Sequence, residues 1–277
     1  MIDKILRLGK DAAIYGLSSI LGRFLNFLLV PFYTNYLLPS EYGVVANIYA
    51  YIAFVLILYG YGMEQAYMRF VVSPEHGDKR DNFSTPFFSL VVTSLLFSGL
   101  IHLFSAPAAA LIGVDPSQSA LIGYAAWILC FDTLMAVPYA SLRMDQKAKT
   151  FAALRVFHIV LNVVLNIVLI VGFGMKADGV LLANLAASLL TFLVLLKLTG
   201  HQLVPKFSSK LYRELLRFGL PYIPAGLAGI ALQVIDRPIL KALTDDATVG
   251  VYQANYRLGV LMMLVVSMFD YAWRPFF

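Results

Sequence analysis

The chain has 277 residues, 60% of them hydrophobic and 13% charged, with a mean hydropathy of +0.77 and a formal net charge of +5. That composition leaves too little polar surface for a soluble domain of this size and places the chain in a bilayer. The basic balance does not point to a nucleic-acid partner, since no basic face is interleaved with exposed aromatics; cations collecting on the cytoplasmic side account for it.

The opening MIDKILRLGKD carries three basic residues ahead of an apolar run from Ala12 to Leu38. A secretory signal has a core of only about 7 to 15 residues, so this run reads as an uncleaved first helix with a cytoplasmic N-terminus. Spanning takes roughly 20 apolar residues in a helix, and the alternating pattern of a barrel is absent. Runs of that kind fall at 12–35, 43–64, 84–106, 119–140, 153–174, 178–198, 218–242 and 250–272, which predicts an all-α membrane protein of about eight transmembrane helices. Breakers separate them: Leu-Pro-Ser-Glu at 38–41, Asp115-Pro116-Ser117, Gly174-Met175-Lys176 and Thr244-Asp245-Asp246. The single cysteine, Cys130, lies inside the fourth run and reads as a small packing residue, with no disulfide or paired-cysteine metal site available to it.

Basic residues test this count, because they should gather in alternate loops. Fifteen of the 21 Lys and Arg fall on the predicted cytoplasmic side, among them Lys4, Arg69, Arg143, Arg155 and Arg217, against only Lys176 and Lys241 on the other. The asymmetry fixes an inward N-terminus. The stretch PKFSSKLYRELLR at 205–217 sets Leu211, Leu215 and Leu216 against Lys210, Arg213, Glu214 and Arg217; it is either a short amphipathic helix on the inner membrane surface or a plain cytoplasmic linker.

The chain also repeats itself. An offset of 207 pairs Leu8 with Leu215, Tyr15 with Tyr222, Gly22 with Gly229, Leu25 with Leu232, Pro31 with Pro238, Gly43 with Gly250, Val44 with Val251 and Tyr49 with Tyr256. The Gly and Pro matches carry the most weight, because they mark backbone features. Helix seven therefore restarts the plan of helix one, and since six is even the repeat is parallel. The expected organisation is a six-helix lobe at 1–199, a cytoplasmic amphipathic linker at 200–217, and at 218–277 the first two helices of a second, incomplete lobe, as in a fragment of a longer transporter.

The stretches GLSSILGRFLNFLLVPFYTNYL and LPSEYGVVANIYAYIAFVLILYGYGMEQAYMRF, with YQANYRLG and FDYAWRPFF near the end, resemble bacterial polysaccharide biosynthesis flippases. These belong to the multidrug, oligosaccharidyl-lipid and polysaccharide exporter superfamily. The resemblance implies two lobes totalling about 12 to 14 helices around a cavity open to one side at a time, a site in the bacterial plasma membrane, and undecaprenyl-diphosphate-linked oligosaccharide as cargo. Membrane lipids and the glycan polymerase and glycosyltransferase machinery are the further partners expected.

Ionised side chains within the bilayer cost at least about 2.5 kcal/mol on insertion scales, so each should face protein or water. Arg23 sits mid-way along helix one beside Gly22 and Asn26; its guanidinium suits a diphosphate, the alternative being a buried ion pair. Related peptidoglycan-precursor flippases use cavity arginines, which favours the first. Arg237 and Arg257 are further diphosphate candidates. Asp236 precedes Arg237-Pro238, where proline frees a carbonyl, and is a candidate for ion or proton coupling or for a bridge to a neighbouring arginine. Glu64 is expected to reach another helix, because Arg69 is five residues on and poorly spaced for a helix pair. Asp132 is an isolated buried acid with the same coupling role open to it. His158, Asn162 and Asn166 form a polar stripe that glues helices rather than binding metal. No nucleophile triad, phosphate loop or ATPase signature appears, so no enzyme activity and no cofactor are expected. The rivals are a cation-coupled multidrug exporter, which favours an acid-rich aromatic cavity, and a membrane-embedded glycan polymerase or ligase, which requires a large outward loop.

Overall fold

The computed structural model describes residue 27, residues 29–72 and residues 79–273, and the regular structure among them is entirely helical. The greater part of the expected first helix, Arg23 included, lies outside the described residues. Residues 29–36 are helical and lead into α1 (Pro39–Gly60), α2 (Met63–Phe70), α3 (Lys79–Leu103), α4 (Ser105–Leu111), α5 (Ser119–Leu134) and α6 (Ala136–Met144). There follow α7 (Ala148–Ile167), α8 (Ala177–Thr199), α9 (Ser209–Gly219), α10 (Tyr222–Val234), α11 (Asp236–Leu243) and α12 (Asp246–Trp273).

Among the described residues five segments are long and apolar enough to cross a bilayer: Pro39–Phe70, Asn82–Leu103, Pro116–Met144, Ala148–Gly172 and Ala177–Gln202. The pair α9 and α10, bent by 43°, makes a sixth if it is one span. The chain is thus a multi-pass membrane protein. Its 28-residue α12 is long enough to cross as well, with the polar residues Asp246, Gln253, Asn255 and Arg257 in its first half. Leu95, Leu96 and Leu100 of α3 and Phe157, Val160 and Val164 of α7 stand exposed, an apolar surface of the kind that lipid covers.

Several expected spans are broken, and the causes are local. Pro138 has no N–H for the carbonyl four residues back, and the run 119–140 divides at Met135 into α5 and α6. Pro238 does the same at Ile235, so the run 218–242, which begins in the last residues of α9, is divided further into α10 and α11. The run 43–64 instead starts earlier, at Pro39, because proline suits the first helical position and Glu41 reaches back to accept from Leu38 N at 2.9 Å. It breaks at Tyr61 and Gly62, which have φ of 28° and 74°. The last run also starts early, at Asp246. There the Asp245 carboxylate accepts from Thr248 N at 2.8 Å, and this bond holds the carboxyl below its ordinary range.

The buried apolar side chains form two cores, one toward each end of the helices. One, near the weakly charged end, gathers Tyr33, Val45, Ile48, Ile122, Ile128 and Leu181. The other, at the basic end, gathers Met63, Phe83, Phe87, Val137, Leu195 and Leu215. The second core takes in part of the stretch at 205–217. The stretch forms α9, capped by Ser208 Oγ accepting from Leu211 N at 3.3 Å, and it buries Leu211 and Leu215 against α2 and α3 while Lys210, Arg213 and Arg217 remain exposed. Polar groups join helices inside the cores: Ser98 Oγ donates to the Ala126 carbonyl at 2.6 Å and lies 3.1 Å from Tyr59 Oη. Cys130 is fully buried among apolar neighbours.

Gly62 allows the close fit of α9. It adopts a left-handed conformation, and a methyl group there would overlap the backbone of Gly219. Gly62→Ala or Gly219→Ala should therefore lower stability by about 1 to 3 kcal/mol, read as a lower unfolding temperature in detergent. Gly60→Ala, two residues upstream, adds a methyl that meets nothing within 4 Å and should leave that temperature unchanged or raised.

Candidate functional site

The polar side chains of these helices converge on two neighbouring cavities. The first, about 480 Å³, lies between α1, α7, α8 and α12. Tyr42 and Tyr49 of α1, Asn162 of α7, Asn184 of α8, and Gln253 and Arg257 of α12 all line it. The second, about 450 Å³, lies toward the basic end and is walled by Glu64 of α2, Tyr139 and Arg143 of α6, Arg155 of α7 and Tyr222 of α10. Asp132 and His158 line both. Each volume is within the range of small-molecule sites, roughly 300 to 1,000 Å³.

The wall between the cavities is a hydrogen-bonded layer. Ser188 Oγ donates to Asp132 Oδ1 at 2.6 Å, and His158 Nδ1 lies 3.1 Å from Thr191 Oγ1, so α5 and α7 are both tied to α8. Asp132 is not the isolated acid that its apolar sequence context suggests: helix packing places a serine on it and His158 and Arg155 along the same cavity walls. The expected polar stripe does join helices. Asn166 donates to Asn162 Oδ1 at 2.7 Å and accepts from Tyr33 Oη at 2.9 Å, while Asn184 donates to Tyr49 Oη at 2.7 Å.

The sequence-derived site residues divide into two groups. Arg257 lines the first cavity with its guanidinium 6.0 Å from the Tyr42 ring centre, and among the described residues it has no acidic partner. Arg237 does not reach either cavity. It is 4% exposed; its Nε donates to Gln253 Oε1 at 3.0 Å, its Nη1 binds the Gln233 carbonyl and Asp236 Oδ1, the latter at 2.7 Å, and its guanidinium lies 4.1 Å from the Tyr256 ring centre. Asp236 takes that bridge to its neighbouring arginine and accepts a hydrogen bond from Tyr252 Oη. Adjacent helix positions diverge, but both residues lie in the first turn after the break at Ile235, where their side chains can meet.

Glu64 does reach another helix, forming an ion pair with Arg143. It sits in the first turn of α2 and Arg143 in the last turn of α6, so each charge also matches its helix dipole. Arg143 and Arg155, counted in the sequence as loop cations, are cavity residues. Arg155 packs on Tyr139 and Phe151 at 4.7 and 5.5 Å. The signal for Arg155 was present in the sequence, because 155, 158, 162 and 166 follow one helical stripe; nothing local marked Arg143.

If the Glu64–Arg143 pair joins α2 to α6 as this geometry indicates, Glu64→Gln and Arg143→Gln will each lower the unfolding temperature. The double variant should then be less damaging than the sum, with a coupling of about 1 kcal/mol for groups one third exposed. Strict additivity in that cycle would show that the pair contributes nothing.

Comparison with known proteins bears on the whole chain. The sequence model for the family described as "Polysaccharide biosynthesis protein" matches residues 8–277. A curated relative, Lsg locus putative protein 1 of Haemophilus influenzae, is 21% identical over 98% of this chain and 66% of its own length. Among solved structures, the MATE multidrug transporter DinF-BH superposes with a TM-score of 0.68 at 17% identity, over 91% of this chain and 59% of that one. An inward-facing MATE family multidrug resistance transporter of the MOP superfamily gives 0.62 at 19% identity, over 86% and 58%. The chain thus spans just under two thirds of its curated relative and about three fifths of these transporters, whose fold it shares. The chain belongs to the polysaccharide biosynthesis protein family.

Proposed function

We propose that this chain forms the cargo-binding part of a flippase that moves undecaprenyl-diphosphate-linked oligosaccharide, an O-antigen, capsule or exopolysaccharide unit, across the bacterial plasma membrane by alternating access. In this reading residues 1–199 are one lobe, 200–217 the cytoplasmic linker and 218–277 the opening helices of a second lobe, with the N-terminus in the cytoplasm. Family membership supports the cargo class and the MATE-like fold supports the mode of movement. Glycosyltransferases would supply the cargo and a glycan polymerase would consume it.

The observation that carries the reading is Arg257. A guanidinium that has no acidic partner among the described residues, on the wall of a cavity whose polar lining is mainly tyrosines and amides together with Asp132 and His158, is suited to accept an anion. Its planar fork can bind diphosphate oxygens in pairs and stays charged when desolvated. Tyrosine rings and the amides of Asn162, Asn184 and Gln253 would face the sugars, which offer both C–H faces and hydroxyls. Arg237, engaged within the protein, is assigned the lesser role of holding Gln253 in place. Arg23 stays a proposed diphosphate contact on sequence grounds alone. Of the three acids, Asp132 is best placed for ion or proton coupling, because it borders both cavities while Glu64 and Asp236 are each paired with an arginine.

One observation favours a second reading. An acid among tyrosines also suits a lipophilic cation, as in a multidrug exporter, and Asp132 shares the cavity with Arg257. Binding to the purified chain in detergent separates the two. A short-chain prenyl diphosphate oligosaccharide should bind, Arg257→Ala should weaken it at least tenfold, about 1.4 kcal/mol, and Arg257→Lys should retain part of it. An organic cation should fail to compete. Indifference to the diphosphate, with cation binding that is lost in Asp132→Asn, would replace the flippase reading with the exporter.

A further inference from the structure

The internal repeat and a close helix crossing coincide. At the offset of 207, Gly43 pairs with Gly250 and Pro39 with Asp246. In the fold, α1 and α12 run against each other. A methyl group on Gly43 would overlap the carbonyl oxygen of Asp246, and one on Gly250 would overlap that of Pro39. The same methyls would stand 3.0 Å from Gly250 N and 3.1 Å from Gly43 N. Each contact is the image of the other under the repeat, so the crossing lies on the axis that relates the two copies. Backbones come this close in membranes only through very small residues.

What surrounds the crossing suits it to open. Lys176 binds Glu41 at 2.6 Å, tying the start of α1 to the loop before α8, and Lys241 binds Asp246 at 2.6 Å, tying the start of α12 to α11. Each ion pair stays within its own copy. Among the described residues no ion pair bridges α1 and α12; the charged contact across them is Arg257 over the Tyr42 ring at 6.0 Å, which parting would expose to the cavity without breaking a salt bridge. The first cavity adjoins the crossing, lined by Tyr42, Val45, Ala46 and Tyr49 on one side and by Gln253, Tyr256 and Arg257 on the other.

We propose that the Gly43–Gly250 crossing is a latch that closes the first cavity at the weakly charged face, and that α1 and α12 separate there when the cavity opens to that face. Its purpose rests on the transport reading, but closure itself is measurable without cargo. Ile159→Cys provides a reporter on the cavity wall, the native Cys130 being fully buried and silent. A membrane-impermeant maleimide applied to vesicles from the weakly charged face should label it slowly. Gly43→Ala or Gly250→Ala should raise that rate at least fivefold. Gly60→Ala and Gly259→Ala, whose methyls meet nothing within 4 Å, should not.

Fast labelling with both glycines intact, or equal rates in all four variants, would overturn the latch. If the glycine variants fail to fold, nitroxides on Tyr36→Cys and Leu243→Cys test it with the crossing intact. These are repeat-related positions, 52% and 78% exposed. Two separations, one close and one parted, are expected in membranes; a single fixed distance would refute the latch. A chain that fails to bind the diphosphate yet shows the glycine-dependent labelling would refute the cargo reading and leave the latch standing.

Discussion

Inside hydrocarbon no water is available to satisfy a backbone amide or carbonyl, and this condition governs where the chain can depart from a helix. Two of the departures from helix adjoin a cavity. The breaks at Met135 and Tyr61–Gly62 border the second cavity or its packing, with Met135 and Gly62 on its wall. The break at Ile235 releases the turn in which Asp236, Arg237 and Gln253 hold one another. Pro138 and Pro238 therefore do more than interrupt helices. They turn the following segments so that Tyr139 and Arg143 reach one polar centre and Arg237 braces another.

Polar side chains follow the same economy. Among the described residues, several ionised or amide groups within the spans have a named partner or border a cavity: Glu64 with Arg143, Asp132 with Ser188, Asn166 with Tyr33, Arg257 on the first cavity wall. The layer of Asp132 and His158, tied to α8, divides the polar interior into two chambers of similar volume. Cations gather at one end of the molecule, and each end holds one close backbone contact. At the basic end the Gly62–Gly219 contact joins α9 to the turn between α1 and α2. At the weakly charged end the repeat-related glycines meet.

Much of this was legible in the sequence. Apolar runs of spanning length and the bias of Lys and Arg identified the membrane helices, because insertion depends on composition summed along the chain. The stripe His158, Asn162, Asn166 announced its own role through helical spacing. Helix boundaries were less legible: proline sets its break three residues upstream of itself, and Glu41 extends a helix backward into the turn signal at 38–41.

The amino-acid sequence by itself determined that the chain lies in a bilayer, roughly where it crosses, and which ionisable residues would need partners there. Only the tertiary structure decided who those partners are. Arg237 and Arg257 are indistinguishable as membrane arginines in the sequence, yet one is held within the protein and the other lines a cavity. Gly43 and Gly250 are likewise no more than two small residues until the helices cross at them. The physical reason is that cost of burial is a property of each residue and its segment, whereas pairing depends on which helix faces are brought together from distant parts of the chain.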